Sequence, residues 1–225
     1  MTFLILTILQ SVIYLDTQVF LTVNSMHNTY WDTFMWLFSD KYVWIPLYVS
    51  LAFLIFKNYD PKVFLYCLLT VLVMIVFTDG VSSHILRPYI GRLRPSNLDN
   101  PISDVVHIVD GHRGGKFSFP SSHSANSWGL VFFIIYFFRQ RLLTLFMVLW
   151  ALVVCYSRLY LGVHYPGDLF VGMSVGFVGA TMCYYVFRHF TGHQPQGDVR
   201  QLYIPLAIGM ITIVVIALVS IVFRL

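Results

Sequence analysis

The sequence predicts an all-α membrane protein: a polytopic helical bundle of about six transmembrane helices, preceded by N-terminal helices that lie in the membrane interface. Three observations lead there. Of the 225 residues, 58% are hydrophobic and only 11% are charged, whereas a soluble domain carries about a quarter charged residues. Mean hydropathy is +0.74. The apolar residues also gather in runs that approach the roughly 20 residues a helix needs to cross the hydrocarbon core.

In chain order the spanning runs are 42–56, 63–80, 124–138, 142–160, 168–188 and 203–223, several of which borrow flanking residues to reach full length. Residues 1–35 are different. MTFLILTILQSVIYL is apolar, but it then meets Asp16, Thr17 and Gln18. It has neither the basic leader nor the small-residue cleavage site of a signal peptide. We read 1–35 as helices lying mainly in the interface, where Trp31 and Trp36 suit the headgroup level. A seventh span is the alternative. The chain reads as one integral membrane domain, with a core over 40–190 and an additional C-terminal helix over 203–223.

Charge narrows the function classes. The net charge is +4 and the isoelectric point is near 9.0. There is no basic stripe or Lys/Arg run of the kind nucleic acid requires, so the excess points to a bilayer surface or an anionic substrate. All ten acidic residues are aspartates. Cys67, Cys155 and Cys183 sit inside apolar runs without metal-binding spacing and read as buried thiols.

With six spans, the loops near 57–62, 139–141 and 189–202 share one face, and the connections 87–123 and 157–168 share the other. The first face holds Lys57, Lys62, Arg139, Arg141, Arg188 and Arg200 against Asp60 and Asp198, which makes it cytoplasmic by the positive-inside tendency. The second face, extracytoplasmic, collects three polar clusters: Arg87-Pro-Tyr-Ile-Gly-Arg-Leu-Arg94-Pro95, Pro120-Ser121-Ser122-His123, and Ser157-Arg158 with His164 and Asp168.

Each cluster suits phosphate chemistry. Guanidinium stays charged and offers paired planar donors that match phosphate oxygens; Arg87, Arg94 and Arg158 together imply a multiply charged oxyanion. Ser121 and Ser122 follow a proline at a helix start, where free amides and the helix dipole favour an anion. His123 lies in the same first turn. His164 has Asp168 four residues on, across the Pro166-Gly167 bend, and a carboxylate on one ring nitrogen leaves the other free to attack. His27, His84, His107, His112, His189 and His193 read as structural, with His84 and His112 nearest the site. No metal motif is present, and the positive surplus opposes a bound cation.

On these residues the sequence resembles the type 2 phosphatidic acid phosphatase superfamily, which shares its core with the vanadium haloperoxidases. The shared pattern stands here as Arg87-x6-Arg94-Pro95, Pro120-Ser121-Ser122-His123 and Ser157-Arg158-x5-His164-x3-Asp168, within roughly 40–190. Two positions depart from it: Arg87 stands where lysine is commoner, and Ser122 replaces glycine. The resemblance implies a helical bundle that cleaves a lipid phosphate ester or pyrophosphate through a phosphohistidine, without metal or cofactor. It implies His164 as nucleophile, Asp168 as its orienting carboxylate and His123 as acid and then base. Arg87, Arg94, Arg158, Ser121 and Ser122 would hold the phosphoryl oxygens. Among family substrates, undecaprenyl pyrophosphate or phosphatidylglycerol phosphate is favoured, with lipid A phosphate and phosphatidic acid as further candidates, in a bacterial inner membrane. A lipid phosphotransferase with the same site and a non-enzymatic anion transporter are the competing readings. The partners expected are the lipid substrate and the bilayer.

Overall fold

The computed structural model describes residues 2–195 and 199–223, with side chains from Ile5 onward; Asp198, counted above with the cytoplasmic face, lies outside them. The helices are α1 (Thr2–Asn24), α2 (Thr29–Ser39), α3 (Ile45–Asn58), α4 (Pro61–Asp79), α5 (Arg87–Ile90), α6 (Ser122–Phe138), α7 (Arg141–Tyr160), α8 (Pro166–Thr191) and α9 (Tyr203–Val222). A π-helical turn, Gly80–Leu86, joins α4 to α5. Among the described residues extended pairing is limited to one antiparallel bridge, Leu93 to Phe117.

Local chemistry sets many of the boundaries. Proline opens α3, α4, α5 and α8, where its missing N–H costs no hydrogen bond. Asn28 caps α2 by accepting from the Trp31 N–H at 3.0 Å. Glycine in the left-handed region ends α5 (Gly91, φ 66°) and α8 (Gly192, φ 64°).

Among the described residues five helical stretches are long and apolar enough to cross a membrane: Ile5–Asn24, Pro61–Ile90, Arg141–Tyr160, Pro166–Thr191 and Tyr203–Val222. The six runs expected from the sequence all fall on helices, but two of those helices are short. α3 has 14 residues and α6 has 17, about 21 and 26 Å at 1.5 Å per residue. α6 is the central helix, wrapped by its neighbours, with residues such as Val131, Phe133 and Phe137 fully buried, so its ends meet protein rather than lipid. The N-terminal region is one 23-residue helix followed by α2, which packs on α7 and α9. α1 therefore has the length and apolarity of the seventh span that the sequence left open.

In lipid the tails are as apolar as the side chains, so helices associate mainly through close packing. The tightest pair here is α6 with α8. It is made possible by Gly172 and Gly176 at four-residue spacing: a Cβ on Gly172 would lie 2.4 Å from the Ser121 carbonyl oxygen, and one on Gly176 would lie 2.4 Å from that of Ala125. Any side chain there would push the start of α6 off the start of α8. Those two helix starts carry His123 and Asp168.

Candidate active site

The first cluster is placed by the end of α5. Gly91 stops that helix, and the chain from Arg92 runs beside 116–118: Ser118 N donates to Arg92 O at 2.8 Å and Arg94 N to Lys116 O at 3.1 Å. Extended backbone turns alternate side chains the same way, so Arg92 and Arg94 both reach the start of α8. Arg94 Nη1 donates to the Val163 carbonyl at 3.1 Å and meets His164 Nε2 at 3.2 Å. Arg87 Nη2 donates to the Pro120 carbonyl at 3.0 Å and to Ser122 Oγ at 3.3 Å.

The second cluster is the start of α6. Ser121 Oγ accepts from the Ser124 N–H at 3.4 Å as the helix cap. Its own N–H donates to the Asp168 carbonyl at 3.0 Å, and Ser124 Oγ donates to Leu169 O at 2.6 Å. The helix carrying His123 is thus bonded to the helix carrying Asp168. In the third cluster, Arg158 in the last turn of α7 donates from Nη1 to Ser39 Oγ at the end of α2. Gly162, at φ 72°, turns the chain toward His164, and a Cβ there would sit 2.7 Å from Val106 Cγ1.

His164 and Asp168 are 1% and 0% exposed. Asp168 Oδ2 accepts from the Tyr165 N–H at 2.9 Å and lies 3.4 Å from His164 Nδ1. A carboxylate only accepts and a guanidinium only donates, so the hydrogen of a neutral His164 belongs on Nδ1, and Nε2 keeps a lone pair facing Arg94. Burial is the main cause that holds the His164 imidazole well below the usual histidine range, with Arg94, Arg158 and Arg87 adding to it. Burial, seconded by Arg87, lowers Arg94 to about 10, which leaves it charged at neutral pH.

The arginines are underused. Among the described residues none of Arg87, Arg94 and Arg158 forms an ion pair, and each keeps a buried Nε–H without a hydrogen-bond partner. All three act electrostatically on both His123 and His164, so the three guanidinium groups with an unspent donor lie near both imidazoles. A buried donor left unpaired costs about 1–3 kcal/mol, and an oxyanion between them would satisfy all three. All eight residues expected from the sequence, His164, His123, Asp168, Arg87, Arg94, Arg158, Ser121 and Ser122, come to this one end of the bundle.

Residues not singled out in the sequence join them: Ser39 on Arg158, Arg92 on Asp168 at 3.0 Å and, through Arg92, Asp16 at 2.6 Å. A carboxylate breaking an apolar run was the available signal for Asp16. Arg92 lay inside the first cluster. Ser39 carried no signal. Of the remaining histidines, His107 pairs with Asp32 at 2.8 Å and stacks on His27 with ring centroids 3.7 Å apart. His112 packs edge-on against Trp36. His193 stacks on Phe137 at the far end of the bundle, where burial lowers it to about 4.

A sequence model of the PAP2 superfamily matches residues 62–191. The chain is 47% identical over 177 residues to a lipid A 4'-phosphatase of Bacteroides thetaiotaomicron, covering 79% of each. It is 32% identical to one of Porphyromonas gingivalis, over 80% of this chain and 76% of that protein. The crystal structure of Aquifex aeolicus LpxE superposes with a TM-score of 0.57 at 22% identity, covering 76% of this chain and 95% of that one, which is a likeness of fold. The matched segment contains all three clusters and most of the spanning helices, and the chain belongs to the PAP2 superfamily.

Proposed function

We propose that this membrane lipid phosphatase of the PAP2 superfamily removes a phosphate monoester from the sugar headgroup of lipid A, through a phosphohistidine on His164 and without metal. The observation that carries the reading is the set of three unpartnered, buried guanidinium Nε–H groups around a neutral imidazole backed by Asp168. Phosphoryl transfer asks a protein mainly for positioning and charge stabilisation. His164 Nε2 attacks phosphorus; the N–P bond forms as the P–O bond to the sugar breaks, and His123 gives its proton to the leaving sugar oxygen. Arg87, Arg94 and Arg158, with the amides and hydroxyls of Ser121 and Ser122, hold the three non-bridging oxygens. Asp168 holds Nδ1–H and supports the charge that develops on the ring. His123 then takes a proton from a water whose oxygen bonds to phosphorus as the N–P bond breaks, which releases inorganic phosphate and returns His164 to its neutral form.

The choice of lipid rests on the similarity to lipid A 4'-phosphatases and moves away from the undecaprenyl pyrophosphate or phosphatidylglycerol phosphate favoured among the family's substrates. The reason is physical: the motifs grip a phosphoryl group, not what it is attached to. We further propose that the protein lies in a bacterial inner membrane with the site on the extracytoplasmic side, supported by the basic residues at the opposite end. Purified protein in EDTA should release phosphate from lipid A faster than from undecaprenyl pyrophosphate, phosphatidylglycerol phosphate or phosphatidic acid. His164→Ala should give neither turnover nor an acid-labile phosphoenzyme. Loss of wild-type turnover in EDTA, or an active His164→Ala protein, would overturn the mechanism; another preferred lipid would overturn the substrate.

A further inference from the structure

α1 lies outside the segment matched to the superfamily, residues 62–191, yet it reaches the reacting histidine through two side chains. Arg92 is a two-armed link: Nη1 donates to Asp168 Oδ1 at 3.0 Å and Nη2 to Asp16 Oδ2 at 2.6 Å. Its guanidinium lies over the Tyr165 ring, 3.7 Å from the centroid. The other oxygen of Asp16, Oδ1, accepts from the Gly167 N–H at 2.7 Å, one of the first-turn amides of α8 that no helix carbonyl can satisfy. Asp16 therefore holds both the arginine that orients Asp168 and the helix start that carries it.

The placement of Asp16 is set by a stripe at four-residue spacing. Phe20, fully buried, packs edge-on against Tyr165 at 5.3 Å. Asn24, 1% exposed, donates to His107 O at 3.0 Å and Tyr160 O at 2.8 Å and accepts from His107 N at 2.7 Å. Asp16, Phe20 and Asn24 share one helix face, and they seat α1 on the ends of α7 and α8. Residues before Asp16, such as Ile5, Ile8, Leu9 and Val12, are more than half exposed and take no part in the seating.

We propose that Asp16 is a positioning residue for the phosphatase reaction, acting through Arg92 and Gly167 to hold Asp168 against His164. The proposal rests on the reading of His164 as nucleophile. It makes α1 part of the catalytic assembly while leaving the phosphate-holding arginines untouched, so its loss should appear in the chemical step and not in headgroup binding. Groups that orient the ligands of a metal centre are worth about 10–100-fold in activity, and the same range is expected for Asp16, which acts on His164 through Arg92 and Asp168.

The test uses the full chain in detergent, with kcat expressed per phosphorylatable site so that unfolded protein does not count. Asp16→Asn, which removes the carboxylate charge facing Arg92 and keeps an oxygen for Gly167, should lower kcat by about 10–100-fold, with KM for the lipid phosphate moved less than about threefold. Combined with Arg92→Gln it should be no slower than Arg92→Gln alone, because the two act as one unit. If Asp16→Asn does not fold, Arg92→Lys, which offers one nitrogen in place of two, should show the same split between kcat and KM. A wild-type kcat per site in Asp16→Asn, a loss expressed in KM, or additive effects in the double variant would each overturn the proposal while His164 stands. A wild-type chain that releases phosphate from none of the four lipids named above would overturn the His164 reading and this proposal with it.

Discussion

His164 is where the electrostatics of the site converge. An imidazole must be neutral to attack, and here burial and three nearby guanidinium groups favour the neutral form, while Asp168 fixes the tautomer. The sign follows: protonation of free His164 occurs below the ordinary histidine pH of 6.5, so the share of enzyme with His164 able to attack stays high as pH falls through that point and is lost only at lower pH. Removing a positive charge should undo part of this. Arg94→Gln is expected to lower kcat/KM and move its acid limb to higher pH, measured on the same lipid so that the substrate's own ionisation cancels. A limb that stays in place, or moves down, would mean that Arg94 does not govern His164. The eight residues that meet at this end were legible in the sequence because the chemistry expected of them uses few side-chain types at strict spacing. Asp16 and Ser39 were not, because their partners lie 76 and 119 positions away.

Among the elements, α6 and α8 do the positioning. Neither His123 nor Asp168 could be brought to one place by its own helix. The two starts meet because Gly172 and Gly176 let the backbones approach and because Ser121 and Ser124 bond across the gap. Gly172→Val or Gly176→Val would place a branched side chain where even a Cβ has no room; overpacking of this kind costs about 1–3 kcal/mol or more. Both should lower the thermal midpoint and abolish phosphate release together. Gly80→Ala, with nothing within 4 Å of the added carbon, is the control and should leave the midpoint within a few degrees. Equal effects at the three positions would show that helix contact is not what holds the site. The expected spans located these helices, since a run of apolar residues is visible without knowing its neighbours. The short length of α6 was not visible, because a helix covered by protein need not match the thickness of the lipid.

At the scale of the whole molecule, the bundle separates two chemistries. One end carries the arginines and histidines of the site. The other joins Asn58 to Arg200 by paired hydrogen bonds of 3.0 Å and stacks His193 on Phe137, with Lys57, Arg139 and Arg188 nearby in sequence. The alternation of loops anticipated this split. Its orientation in the cell is open to a direct measurement: Lys116→Cys, in the exposed loop beside the site, should react with a membrane-impermeant maleimide in intact cells, and Arg141→Cys at the opposite end should react only after the membrane is broken. The wild-type chain, whose Cys67, Cys155 and Cys183 lie within apolar helices, supplies the background. The reverse pattern would place the site on the cytoplasmic side.

By itself the sequence determined the membrane class, the helical content, the two polar ends and the eight residues that the fold brings to one of them. These depend on hydropathy along the chain and on short fixed spacings, which are local properties. Only the tertiary structure decided that α1 reaches the site through Asp16, that α2 supplies Ser39 to Arg158, and that Arg87, Arg94 and Arg158 each keep a buried Nε–H without a partner. Those facts concern which distant side chains lie within 3 Å of one another, and close packing of helices settles that, not the pattern of any one of them.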